Sequence, residues 1–108
     1  MRKIFLLICF NLLFCSSVFA NSGFYNTKIA AITVHDNWNA LIIEFKSSVA
    51  DGEKCGISNA VLLQKNHYMF KEMYAALLSA FHAQTMISGW ANGCNGSYPI
   101  LTRIDLRK

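Results

Sequence analysis

Apolar residues recur at helical spacing in one long stretch after residue 20. Residues 66–84, NHYMFKEMYAALLSAFHAQ, put Met69, Phe70, Met73, Tyr74, Leu77 and Phe81 on one stripe, and Ala76 and Ala80 widen it. Lys71 and Glu72 fall off the stripe, with Ser79 as a weaker polar mark. Asn66 has the side chain of an N-cap, since its oxygen can accept from an early backbone amide. The apolar arc is broader than covering one sheet requires. It therefore predicts a second buried contact, a homo-oligomer formed through this helix.

The runs around the helix alternate like strands. Residues 27–34 (TKIAAITV) put Ile32 and Val34 on one face and Ile29 and Ala31 on the other. His35-Asp36-Asn37 makes a polar turn. Residues 38–46 (WNALIIEFK) follow, with Leu41, Ile43 and Phe45 as the core face opposite Ala40, Ile42 and Glu44. A short polar connection between two such runs predicts a hairpin. After a loop at 47–56, marked by Asp51-Gly52, residues 59–64 (NAVLLQ) give a third strand. Beyond the helix, residues 85–90 place Met86, Ser88 and Trp90 opposite Ile87, and Gly89 marks a bulge. Asn92-Gly93 and Asn95-Gly96 read as tight turns around Cys94. In 100–106, Ile100, Thr102, Ile104 and Leu106 oppose Leu101, Arg103 and Asp105. Residues 21–26 read as a short exposed lead-in. The order strand, strand, strand, helix, strand, strand predicts an α+β, mainly β fold: a five-stranded OB-like barrel with one helix between strands three and four.

The first twenty residues change the picture of where this domain works. Arg2 and Lys3 precede an apolar run at 4–14, and Val18-Phe19-Ala20 puts small residues where a signal peptidase reads. This three-part pattern predicts a secretory signal peptide at 1–20, cleaved after Ala20, and one small domain at 21–108 that is secreted or periplasmic. The run is too short for a membrane span, so none is expected after cleavage. Cleavage leaves eight basic against six acidic side chains, a net charge of +2 and scattered. That is too little for a nucleic-acid footprint, and no nucleic-acid partner is expected.

Cys9 and Cys15 leave with the signal, so Cys55 and Cys94 remain as a pair in an oxidising compartment. They predict one disulfide. No matching histidine pair completes a zinc shell, so no metal or other cofactor is expected. Catalytic signatures are equally thin. His67 and His82 lie about four helical turns apart, and His35 stands alone in its turn. The acidic residues form no visible pair, and neither a nucleophile elbow nor a phosphate-cradling loop is present. Cys55 and Cys94 lack the CxxC spacing of a redox catalyst. Asn95-Gly96-Ser97 matches a glycosylation acceptor. Aromatics at predicted strand ends give the better lead. Trp38, Trp90 and Tyr98 offer faces for stacking on a sugar, and Asn92 and Asn95 offer amides for its hydroxyls. The candidate ligand-binding residues are accordingly Trp90, Asn92, Asn95 and Tyr98.

With the signal, the element order and the Trp90-Ala91-Asn92-Gly93-Cys94 and Tyr98-Pro99 stretches in hand, the chain resembles small exported bacterial proteins. They are broadly similar to the subtilase-cytotoxin and typhoid-toxin binding (B) subunits. The resemblance implies an OB-fold, a pentameric ring and glycan binding, often of sialylated glycans; it assigns no sugar-contacting residue here. The resulting expectation is an exported, non-enzymatic binding domain for a glycan or protein, self-associating like a toxin B subunit. The alternatives are a small exported hydrolase or nuclease using His35, and a secreted inhibitor or structural partner.

Overall fold

A computed structural model describes residues 21–49 and 51–107 of the chain. The predicted leader at 1–20 lies outside the described residues. The elements run β1 (Ser22–Thr27), β2 (Ile29–His35), a 3-10 turn (Asp36–Trp38), β3 (Ala40–Phe45), β4 (Ala60–Gln64), α1 (Phe70–Ala83), β5 (Ile87–Asn95) and β6 (Tyr98–Leu106). Among the described residues the fold is mainly β with one helix and the Cys55–Cys94 disulfide, as the sequence predicts. The strands form a six-stranded sheet in the order β1-β5-β6-β4-β3-β2. All neighbours are antiparallel except β4 and β6, which run parallel. The sheet is not closed. Its two edges, β1 and β2, are nevertheless consecutive in sequence, with only Lys28 between them.

The expected lead-in is instead a strand, Ser22–Thr27. Only Phe24 and Thr27 are buried in Ser22–Thr27, so no alternation announces it. It exists because β5 offers an edge: Ser22, Gly23 and Phe24 register with Ala91, Trp90 and Gly89.

Bulges decide which side chains point inward. In β2, Ile29 pairs with Phe45 and Ala31 with Glu44, so Ala30 is an extra residue. The extra residue flips the parity, and Ile29 and Ile32 both reach the core instead of opposite faces. Val34, predicted to share the Ile32 face, is 78% exposed at the end of the strand. In β6, Trp90 pairs with Arg103 but Ala91 pairs with Leu101, leaving Thr102 extra. Leu101 and Ile104 consequently face the core together, which corrects the simple alternation expected over 100–106.

β3 carries out its predicted division. Leu41, Ile43 and Phe45 join Phe24, Ile29, Val61, Leu63 and Leu101 in the main core. Ala40 and Ile42 face the other way, with Ala60 and Leu62, into a second small cluster covered by Trp38, Ile57 and Tyr98. Both faces of β3 and β4 are thus shielded from water, as their near-continuous apolar sequence requires.

α1 closes the main core with Met73, Leu77 and Ala80 buried and Phe70 and Phe81 packed at the rim. Its start is three residues later than the sequence suggests. Residues 66–69 are turns, with His67 N–H bonded to Gln64 O and Phe70 N–H to His67 O. Asn66 is therefore not the N-cap. Met69 holds that position without a side-chain cap, and its N–H donates instead to His67 Nδ1 (3.0 Å). At the other end Gln84 takes a left-handed conformation, and Thr85 N–H returns to Ala80 O (3.0 Å). The Gln84 amide donates to Phe81 O (2.8 Å) and to Ile29 O (3.5 Å), fastening the helix end to β2.

Candidate functional site

β5 presents Trp90 outward. Ile87, Gly89 and Ala91 are buried along its inner face, while Ser88 and Trp90 are half-buried on the outer one. Gly89 is required by crowding. A Cβ there would run into the backbone carbonyl of Arg103 and come within 2.7 Å of Phe24 Cζ. The close approach of β5 to its neighbours at this point fixes what surrounds the indole.

Those neighbours come from both flanking strands. Trp90 registers with Gly23 of β1 and Arg103 of β6. Because Phe24 points into the core, Gly23 and Tyr25 share the outer face. The Tyr25 ring folds back over Gly23, where a Cβ would stand 2.5 Å from its hydroxyl, and the side chain stays 63% exposed. The bulged Thr102 donates its hydroxyl to Trp90 O (3.3 Å). Arg103 donates Nε to Asp105 Oδ1 (2.8 Å), and Arg107 approaches the other Asp105 oxygen at 4.0 Å. That contact orients the guanidinium, which remains 57% exposed. Asn21, Trp90, Thr102 and Arg103 line an open depression of about 450 Å3. It combines an aromatic face, a cation, an amide and a hydroxyl.

The four ligand residues expected from the sequence do not form one site. Trp90 lies in this depression. Asn95 is five residues further along an extended strand, about 16 Å away at strand rise. Asn92-Gly93 is no tight turn: β5 runs straight through it as a bulge, with Ala91 paired to Leu101 and Cys94 to Pro99. Asn92 is exposed there, and Gly93 takes φ +78°. The hairpin turn is at Gly96-Ser97, closed by the Asn95–Tyr98 pair. Tyr98 meets Trp38 edge to face at 5.6 Å and covers the second cluster. The indole of Trp38 also lies against Gly96, where a Cβ would fall 2.7 Å from it. Trp38 and Tyr98 are thus committed to packing. Arg103, Thr102, Tyr25 and Asn21 escaped sequence reading because only strand pairing brings them beside Trp90.

Cys55 and Cys94 are disulfide-bonded, with Cα atoms 5.6 Å apart. The bond fastens the loop before β4 to β5. Asp51 shapes that loop by accepting from the backbone N–H groups of Cys55 and Gly56, each at 3.1 Å.

The histidines are dispersed. His35 stands edge-on to Trp38 at 6.3 Å, and its Nδ1 is enclosed without a hydrogen-bond partner. His67 stacks on Tyr68 at 4.9 Å, and His82 is exposed on the helix. Among the described residues, no three His, Cys, Asp or Glu side chains group to hold a metal ion. No helix among them is long and apolar enough to cross a membrane. The outer side of α1 carries Tyr74 (37% exposed) and Leu78 (45% exposed), so the helix has apolar surface that its own sheet leaves uncovered.

Comparison with protein-family models, with curated proteins and with solved structures finds no match to this chain.

Proposed function

We propose that this chain is an exported, non-enzymatic binding domain that takes a glycan on the outward face around Trp90. The observation that carries the reading is the depression lined by Asn21, Trp90, Thr102 and Arg103, with Tyr25 beside it. An indole face stacks on the C–H face of a sugar, while amide, hydroxyl and guanidinium groups bond its oxygens. Arg103 favours a glycan that carries a carboxylate, because guanidinium and carboxylate match in geometry and charge. Export is supported by the leader pattern in the sequence, and the disulfide is compatible with it.

The architecture proposed with this function is an OB-like barrel. β1 and β2 act as one bent strand through Lys28, and the sheet order with its parallel β4–β6 pair supports that closure. Self-association through α1, as in the toxin binding subunits the sequence resembles, is supported by Tyr74 and Leu78. The hydrolase or nuclease alternative has less behind it, since its residue, His35, has Nδ1 shut away beside Trp38.

A glycan array probed with the mature protein and with Trp90→Ala tests the proposal. Binding by the mature protein, weakened about tenfold or more in Trp90→Ala with the fold intact, is the expected result. Silence on the array, or equal binding by both proteins, overturns it.

A further inference from the structure

The start of β1 is held by a carboxylate from the disulfide-tied loop. Glu53 Oε1 accepts from the backbone N–H of Asn21 (3.1 Å) and from the hydroxyl of Ser22 (3.1 Å). Ser22 also lies directly over Gly52, where an added Cβ would collide with its side chain. Glu53 sits two residues before Cys55, so the Cys55–Cys94 bond anchors the loop that presents it. The nitrogen that Glu53 receives belongs to the first residue of the expected mature chain. In the precursor it is a neutral amide. Hydrolysis of the Ala20–Asn21 bond adds water across it: the hydroxyl goes to the Ala20 carbonyl carbon, and the nitrogen leaves as an amine. That α-amine takes up a further proton at neutral pH, because its ordinary pKa is about 7.7–8.0.

We propose that Glu53 is a receptor for the new N-terminus, so that leader removal converts an amide–carboxylate hydrogen bond into an ammonium–carboxylate pair that locks β1 onto β5. The inference rests on the secretory reading of residues 1–20. It explains three features at once. Glu53 is half-buried although it stands in a polar loop. A strand with only Phe24 and Thr27 buried holds an edge of the sheet. The disulfide staples this loop, rather than another, to β5. With both partners charged, the pair gains a direct ion–ion attraction that the amide–carboxylate bond lacks. The site is partly open to water, so its strength is that of a modest surface ion pair. The anchor of β1 is present before cleavage and reaches its full strength only after the leader is gone.

The test uses the protein recovered from export, with its first residue read by mass spectrometry. A chain starting at Asn21 supports the premise, and any other start overturns the premise itself. Hydrogen exchange of the β1 amides is then compared in four proteins: the Asn21-start chain, the same chain extended by one alanine, Glu53→Gln, and the two changes together. The extension moves the ammonium one residue away from Glu53 while keeping Ser22 in place. The expected result is exchange about threefold faster in β1 for either change alone, no faster for the two together, and unchanged in β3 and β4. An extended chain that exchanges like the Asn21-start chain overturns the proposal, as does a double change equal to the product of the singles. Glu53→Gln uses a near-isosteric side chain within an intact disulfide loop, so a loss of the fold does not confound the comparison.

Discussion

Replacing both disulfide cysteines isolates how much of this domain's stability comes from its covalent loop. Cys55 and Cys94 are separated by 39 residues, and β4, the whole of α1 and most of β5 lie between them. In the chain-entropy description, closing a loop of that length removes about 13 cal/mol/K from the unfolded chain, or about 4 kcal/mol at 25 °C. Little native packing goes with it, because Cys94 is exposed and Cys55 only half-buried. Cys55→Ala/Cys94→Ala should therefore lose about 4 kcal/mol in a urea titration and roughly 20 °C in Tm, with most of the effect arising in the unfolded state. An origin in the unfolded state has a second signature. The unbridged chain expands further on unfolding, so the urea m-value should rise along with the fall in midpoint. A loss under about 1 kcal/mol, with the m-value unchanged, would refute the reasoning and place the stability of this small domain in its core alone.

Leu77→Ala should destabilise by about 2–5 kcal/mol in the same titration, because the side chain is fully buried under the sheet, while Leu78→Ala on the outer side should stay within about 0.5 kcal/mol at protein concentrations low enough to keep the chain monomeric. Gly89→Ala should destabilise by about 1–3 kcal/mol, since its methyl meets the Arg103 carbonyl and the Phe24 ring, and the Arg103 backbone cannot rotate away. Sedimentation of the mature protein should show an oligomer that Tyr74→Lys/Leu78→Lys converts to monomer with the fold retained; a wild-type monomer at tens of micromolar would count against the helix as an interface.

What the sequence discloses follows from which constraints are local. The helix is legible because Met73, Leu77 and Ala80 recur at helical spacing, and the core face of β3 because Leu41, Ile43 and Phe45 alternate. The disulfide is legible because two cysteines, Cys55 and Cys94, lie beyond the predicted leader. The helix start is not, since His67 rather than Asn66 receives the first free amide and turns occupy 66–69. β1 is invisible because its stability is borrowed from β5 and Glu53. Bulges at Ala30, at Asn92-Gly93 and at Thr102 leave no mark in alternation until the partner strand is known, yet they decide that Ile32 and Ile104 face inward. The site divides in the same way. Trp90 stands out as an aromatic on a strand, but Arg103, Thr102 and Asn21 become its neighbours only through the β1-β5-β6 pairing. Tyr98 and Trp38 look alike in sequence and prove to be the cover of the second cluster.

The proposed role of the Trp90 face, a ligand site on an exported domain, is open to direct measurement. Quantitative binding of the mature protein to the best-bound glycan of an array, measured beside Trp90→Ala and Arg103→Ala, tests it most directly. The expected result is saturable binding that falls about tenfold or more in Trp90→Ala, and that falls in Arg103→Ala chiefly for glycans bearing a carboxylate. Undiminished binding by both variants, or no glycan bound at all, would contradict it.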